Sequence, residues 1–160
     1  MLDDGLPARR FSFEPRPIPV PGDLRIAWRV SLIILMLGHS RSQRASVAKL
    51  HILNDAIRSG QHQRLTAALD GTASSLPWNL RVEPAFGRAL DFVVGERLAG
   101  WTKASGRAAL QLTAAGVDAF EALSKTPDVL VTEQQIIAEF AKAIPETVVA
   151  RLLGEAQSRT

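Results

Sequence analysis

Residues 88–123, RALDFVVGERLAGWTKASGRAALQLTAAGVDAFEAL, are the stretch of sequence that decides the fold. Their pattern predicts a helix, a short strand, a tight basic turn, a returning strand and a second helix, in that order. We expect these elements at residues 83–98, 101–103, 104–107, 108–113 and 114–123. Thr113 is a favourable N-cap for the second helix, because a threonine hydroxyl accepts a hydrogen bond from a backbone N–H of the first turn.

This order of elements resembles the second half of a winged helix-turn-helix domain. The resemblance is carried by residues 95–101, where a helix runs into the wing, and by residues 110–116, where a strand ends in Leu-Thr-x-x-Gly. We expect Leu112 to anchor that strand in the core and Gly116 to allow close packing of the next helix. The sequence therefore predicts a mainly α-helical protein with a winged helix-turn-helix-like domain, a short β-hairpin wing and extra C-terminal helices.

The chain divides into an arm, a domain and an extension. Residues 1–22 hold five of the nine prolines, and their alternation at positions 15–21 favours an extended, polyproline-like arm, with a disordered tail as the alternative. Residues 23–125 are expected to form the winged-helix-like domain, and residues 126–160 a C-terminal helical extension. The further elements expected are helices at 24–37, 47–58, 61–69, 132–144 and 145–154, and a short strand at 78–82.

The composition is typical of a globular protein, and the absence of cysteine permits a reducing compartment without proving one. Of the 160 residues, 46% are hydrophobic and 22% are charged, which is enough for one domain with a core. The absence of cysteine excludes a disulfide framework, a thiolate metal site and a cysteine nucleophile. Asp3 and Asp4 stand where a signal peptide would be positive, and the longest apolar run, residues 30–37, is too short for a membrane span. We therefore expect a cytoplasmic protein.

The sequence contains no arrangement of residues typical of an enzyme. His39, His51 and His62 match no metal-ligand spacing, and His51 with Asp55 is an i, i+4 pair of the kind that helices form routinely. No set of nucleophile, base and orienting residue is evident, and no glycine-rich loop that would cradle a phosphate. We expect no catalysis, no cofactor and no metal ion.

Basic residues are concentrated in the first half of the chain and in the wing. Residues 16–58 carry seven basic residues against two acidic ones, whereas the residues from 126 onward carry three against five. The charge of the helix expected at 83–98 is balanced, because Asp91 and Glu96 offset Arg88 and Arg97. A balanced charge favours protein binding over phosphate contact. For the basic residues of the first half and of the wing, the alternative to phosphate contact is that they are ordinary solvated charges. The candidate DNA or phosphate contacts are Arg25, Arg29, Arg41, Arg44, Lys49, Lys103 and Arg107.

Large apolar residues near loops and in the arm are candidates for partner binding, because buried aromatic anchors contribute most to protein interfaces. These candidates are Phe11, Phe13, Ile18, Val20, Trp78 and Trp101.

The chain also resembles a known family over roughly residues 13–125. The features that carry this resemblance are the proline-rich arm, the apolar first helix, residues 45–54 (ASVAKLHILN) and residues 88–98 (RALDFVVGERL). Together they look like the middle component of the ABC-three-component systems, the group that includes the Lamassu anti-phage defence systems. The resemblance implies a small bacterial accessory subunit that bridges an SMC-like ABC ATPase and an effector protein, often a nuclease, without catalysis of its own.

Two binding functions thus remain open. In the defence complex, DNA would be contacted directly or only through the other subunits. The alternative is a winged-helix transcriptional regulator that binds DNA as a dimer, with Lys103 and Arg107 on the phosphates and the C-terminal helices as the dimer interface. Neither function involves a membrane or a small-molecule substrate.

Overall fold

The protein is mainly helical, with one small three-stranded antiparallel sheet, in a computed structural model that describes residues 22–72 and 78–154. A 3₁₀ turn, Arg41–Gln43, precedes the first strand. The helices and strands are, in chain order, α1 (Gly22–His39), β1 (Arg44–Ser46), α2 (Val47–Ser59), α3 (His62–Leu69), α4 (Pro84–Gly95), β2 (Ala99–Ala104), β3 (Arg107–Leu112), α5 (Ala114–Lys125), α6 (Val131–Ala143) and α7 (Glu146–Leu152).

Helix α1 forms the centre of the molecule. Its residues 32–37 are at most 3% exposed, and it contacts α4, α5, α6 and the sheet. Because protein covers α1 on several sides, its apolar residues occupy most faces instead of one stripe. The predicted burial of this helix is confirmed. Helices α6 and α7 complete the same core, with Phe140 and Val149 almost fully buried.

The β-hairpin is confirmed, and the sheet contains one strand that the sequence did not predict. Strands β2 and β3 pair with Trp101 opposite Leu110, and the turn residues Ser105 and Gly106 have φ values of 49° and 78°. Two positive φ values at the turn match the right-handed twist of a tight hairpin. Strand β1 pairs with β3, so that the strand order is β1-β3-β2.

Two other predictions about local structure are wrong. Residues 78–82 form no strand; instead the Trp78 N–H donates to the Leu152 carbonyl of α7 at 2.6 Å, and none of the described strands pairs with this segment. Helix α4 ends at Gly95, three residues before the predicted end. It ends there because Arg97 has a φ of 58°, which directs the chain out of the helix and into β2.

The caps that the sequence predicted are present. The Thr113 hydroxyl accepts from the Gly116 N–H at 3.1 Å at the start of α5, and the Ser46 hydroxyl accepts from the Lys49 N–H at 3.1 Å at the start of α2. Leu112 is buried as expected. Each cap fixes the direction in which a helix leaves the sheet.

No helix in the described part of the chain is long and apolar enough to cross a membrane. The arm and its candidate anchors lie outside the described residues. These anchors are Phe11, Phe13, Ile18 and Val20.

Candidate functional site

A first basic cleft, which we call the wing cleft, lies between the start of α2, the hairpin turn and the start of α7. It has a volume of about 260 Å³ and is lined by residues 41, 44, 49, 104, 105 and 144–147. Arg41 and Arg44 are exposed there, beside the turn that joins the strands carrying Lys103 and Arg107. The fold thus brings the predicted contacts of the loop beside the hairpin turn, whereas Lys103 and Arg107 do not line this cleft.

Lys49 is the exception among these residues, because it points into the protein. Its side chain is only 4% exposed, and its Nζ donates to the Ala141 carbonyl at the end of α6. Burial lowers the pKa of Lys49 to about 8; Glu146 opposes this shift and Arg41 adds to it. Lys49 therefore ties α2 to α6 and is not on the surface where a phosphate contact was expected.

Replacement of Lys49 by methionine is expected to remove a rise in stability between pH 8 and pH 10.5. The pKa of Lys49 is about 8 in the folded protein and 10.5 ordinarily, so within this window the unfolded chain binds the extra proton. The wild type should therefore gain about 1–3 kcal/mol of unfolding free energy across the window, and the variant should not. Urea denaturation at a series of pH values measures this. A parallel gain in both proteins would contradict the assignment to Lys49.

The basic residues on α1 lie far from the wing cleft. Arg25 is exposed, and Arg29 is half-buried with its Nε donating to Glu83 Oε1 at 3.1 Å. Helix α1 runs for ten further residues from Arg29 to His39, a distance of about 15 Å. The structure therefore divides the basic first half of the chain into two separate groups.

Glu83 holds the start of α4 against α1 and α2. Besides Arg29, its carboxylate accepts from Asn54 Nδ2 at 3.3 Å and pairs with Arg58 at 3.3 Å. Burial by itself raises the pKa of Glu83, but hydrogen bonds from Arg29 and Asn54 and the charges of Arg29 and Arg58 outweigh it and lower the pKa. This Glu83 cluster gives Arg29 a structural partner.

A second basic cleft, which we call the arginine cleft, lies where α2 ends and α3 begins. It has a volume of about 440 Å³ and contains Arg58, Arg64 and Arg81. Asp55, Ser59, Gln61 and Asn79 complete its lining. Sequence reasoning missed this site, because its arginines are spread over three segments and their spacing contains no motif.

Trp78 fixes one wall of the arginine cleft. Its indole is 4% exposed, its Nε1 donates to Asp55 Oδ2 at 2.9 Å, and the Arg64 guanidinium lies over its ring at 4.6 Å from the centroid. The sequence predicts Trp78 as a core or core-edge residue that could also sit at an interface, and its burial shows that it supports the cleft. Arg64 is held in place by stacking, which preorganises its charge.

Exposed apolar side chains lie on α4, just before it and in β2, and we call the part of α4 and the hairpin that carries Phe92 and Trp101 the α4–wing face. Val82, immediately before α4, is 70% exposed; Phe92, in its last turn, is 47% exposed; and Trp101, in β2, is 59% exposed. The charged residues Arg88 and Asp91 are exposed on the same helix. Exposed apolar side chains mark a binding site where they form one contiguous patch.

Two of the three histidines, His39 and His51, belong to the packing. His51 lies edge-on to Phe86 with a centroid separation of 5.0 Å, and His39 lies edge-on to Phe120 at 5.1 Å. Burial lowers the pKa of both histidines, against a smaller opposing effect of Glu83 on His51. Within residues 22–72 and 78–154, no group of three or more potential ligands is arranged to hold a metal ion.

Comparison with family models, curated proteins and solved structures gives no match to this chain. A functional assignment therefore depends on the sequence and on the geometry of these surfaces.

Proposed function

We propose that the protein is a non-catalytic winged-helix subunit that bridges an SMC-like ABC ATPase and an effector in a bacterial anti-phage defence complex. The observation that carries this proposal is the α4–wing face, where Phe92 and Trp101 are about half exposed. The family resemblance of residues 45–54 and 88–98 supplies the class of partner.

The order of elements supports a winged-helix assignment. Helices α1, α2, α3 and α4 precede a hairpin, and the strand order β1-β3-β2 places the early strand beside the second strand of that hairpin. In winged-helix proteins, the helix before the hairpin and the hairpin itself form the ligand-facing surface. Here α4, β2 and β3 occupy those positions.

The residues on the α4–wing face favour a protein partner over the major groove of DNA. Arg88 is balanced by Asp91, and the exposed area is provided by Phe92 and Trp101. Protein interfaces are enriched in aromatic residues and depleted of charge at their centres, whereas duplex binding requires excess positive charge. The exposed aromatic residues and the balanced charge therefore both favour a winged helix that holds proteins together.

Replacement of Phe92 and Trp101 by serine is expected to abolish co-purification with the SMC-like ATPase that this proposal gives the protein as a partner. Each single variant should weaken the complex about tenfold, as truncation of an interface anchor does. Both side chains are exposed, so we expect the stability of the isolated subunit to change by no more than about 0.5 kcal/mol. Co-expression and pull-down of the tagged ATPase, followed by calorimetric titration, provide the measurement.

Val131→Ser is the matched control, because Val131 is 51% exposed on α6 and does not belong to the α4–wing face. Retention of the ATPase by the Phe92 and Trp101 variants would reject this interface. Absence of an SMC-like gene from the neighbourhood, with a subunit that runs alone from native cells, would reject the proposal as a whole.

A DNA-binding regulator is the second candidate, and the wing cleft is the observation that favours it. Arg41 and Arg44 lie beside the hairpin turn and line the wing cleft together with Glu146. Such a regulator would bind one operator with an affinity that falls steeply with salt. Absence of duplex binding at about 50 mM salt excludes it.

A further inference from the structure

We propose that the arginine cleft is a binding site for phosphate groups, separate from the partner surface on α4 and from the basic residues of the wing. Three arginines line it and one carboxylate, that of Asp55, is among its lining residues. Arginine presents a planar fork of N–H donors that matches the oxygens of a phosphate, often in pairs.

The single acidic group of the cleft is already engaged. Asp55 accepts the Trp78 Nε1–H at 2.9 Å, so its carboxylate is directed at the wall of the cleft. The nearby Glu83 carboxylate is engaged by Arg29, Asn54 and Arg58. Apart from Asp55, the charged residues that line the cleft are the three arginines, which are positive.

The arginines retain most of their donors. Arg64 uses one NH1 donor on Gln61 Oε1, at 3.0 Å, while its plane rests on Trp78. Within the described ranges, 22–72 and 78–154, Arg81 makes no hydrogen bond or ion pair. Since each guanidinium has five N–H donors, Arg64 and Arg81 can bind an incoming oxyanion without breaking the fold.

The size and polarity of the cleft suit such a ligand. A volume of about 440 Å³ is within the range of small-molecule sites, and the side chains of Ser59, Gln61 and Asn79 add neutral hydrogen-bonding groups to its walls. Stacking on the buried Trp78 holds Arg64 before the ligand arrives, which lowers the entropic cost of binding. The phosphate belongs either to a free nucleotide or to a nucleic-acid backbone.

The test compares the wild type with Arg64→Gln and Arg81→Gln. Calorimetric titration with pyrophosphate and ATP, and fluorescence anisotropy with a short labelled duplex, separate the two sources of phosphate. Each substitution is expected to weaken binding about tenfold, since each removes one charge-assisted contact. Arg58 is left unchanged because it also pairs with Glu83.

Lys142→Gln is the matched control, because this exposed lysine lies on α6, outside the arginine cleft and the α4–wing face. Thermal melts verify that the variants fold, which is expected because both substituted side chains are exposed. Binding of ATP or pyrophosphate that depends on Arg64 and Arg81 assigns a nucleotide site, and binding of the duplex alone with the same dependence assigns a backbone site. The proposal is overturned if no probe binds or if Lys142→Gln has the same effect. It is also overturned if succinate, a dicarboxylate without phosphate, binds as tightly as pyrophosphate.

Discussion

Replacement of Gly116 by alanine is expected to destabilise the protein by about 3 kcal/mol or more, a loss that leaves little of a small domain's stability. A Cβ at this position would lie 1.9 Å from the Leu98 carbonyl oxygen and 3.0 Å from the Leu112 side chain. That carbonyl cannot move away cheaply, because it accepts the Thr113 N–H at 3.0 Å and the Thr113 hydroxyl at 3.2 Å. The first turn of α5 would have to separate from the chain that enters β2.

Urea denaturation followed by circular dichroism measures this effect, with Gly87→Ala as the control. Gly87 lies inside α4, and a Cβ there would have no heavy atom within 4 Å. Because alanine is the better helix former, the control should gain up to about 1 kcal/mol. Equal midpoints for wild type and Gly116→Ala would show that α5 does not approach Leu98 this closely.

The parts of the fold that the sequence predicted well are those determined by neighbouring residues. The Ser105–Gly106 turn, the Thr113 cap and the Ser46 cap each act within a few residues of their own position. Their chemistry is specific enough to define a hairpin and the starts of two helices. The close packing expected at Gly116 is also present, although its partner, the Leu98 carbonyl, is not a neighbour in the chain.

The parts that were missed depend on residues distant in the chain. Strand β1 is three residues long, and only its pairing with β3, Ala45 opposite Leu110, makes it a strand. Trp78 has a strand-like sequence around it, but its N–H bonds to Leu152. A local sequence pattern cannot predict either partner. The reason is that β propensity depends on packing against neighbours that lie elsewhere in the chain.

The same limit applies to the candidate sites. Lys49 belonged, by sequence, with the other basic residues, and the carbonyl that holds it inside the protein is 92 positions away at Ala141. Conversely, Arg64 and Arg81 showed no common feature in sequence, and the fold placed them in one cleft. Charge counts thus located the basic regions approximately, but the distinction between buried, paired and available cations required the structure.

Replacement of Glu83 by glutamine is expected to cost about 3 kcal/mol, because it leaves the half-buried guanidinium of Arg29 without its carboxylate. The side chains of Arg29 and Glu83 are 17% and 14% exposed, so water cannot fully replace the pair. Asn54, which is 2% exposed, would face an amide in place of a charge. Since the cluster holds the start of α4, the α4–wing face should also bind its partner less tightly.

The control is Glu121→Gln, which removes an exposed i, i+4 pair with Lys125 at 3.7 Å. Such surface pairs contribute about 0.5 kcal/mol or less, so this variant should unfold almost as the wild type does. If both variants lose the same amount, the loss reflects net charge and not the Glu83 cluster.

The pH dependence of the difference between wild type and Glu83→Gln identifies the carboxylate itself. The pKa of Glu83 is lowered in the folded protein below its ordinary value of 4.5, so the unfolded chain takes up the proton first as the pH falls. The stability contributed by the charged carboxylate is therefore fully present above pH 4.5 and is lost progressively below it. Chemical denaturation between pH 7 and about pH 3 should show the two proteins converging at the acid end. A difference that stays constant over this range would mean that the shape of the side chain, and not its charge, holds α4 against α1 and α2.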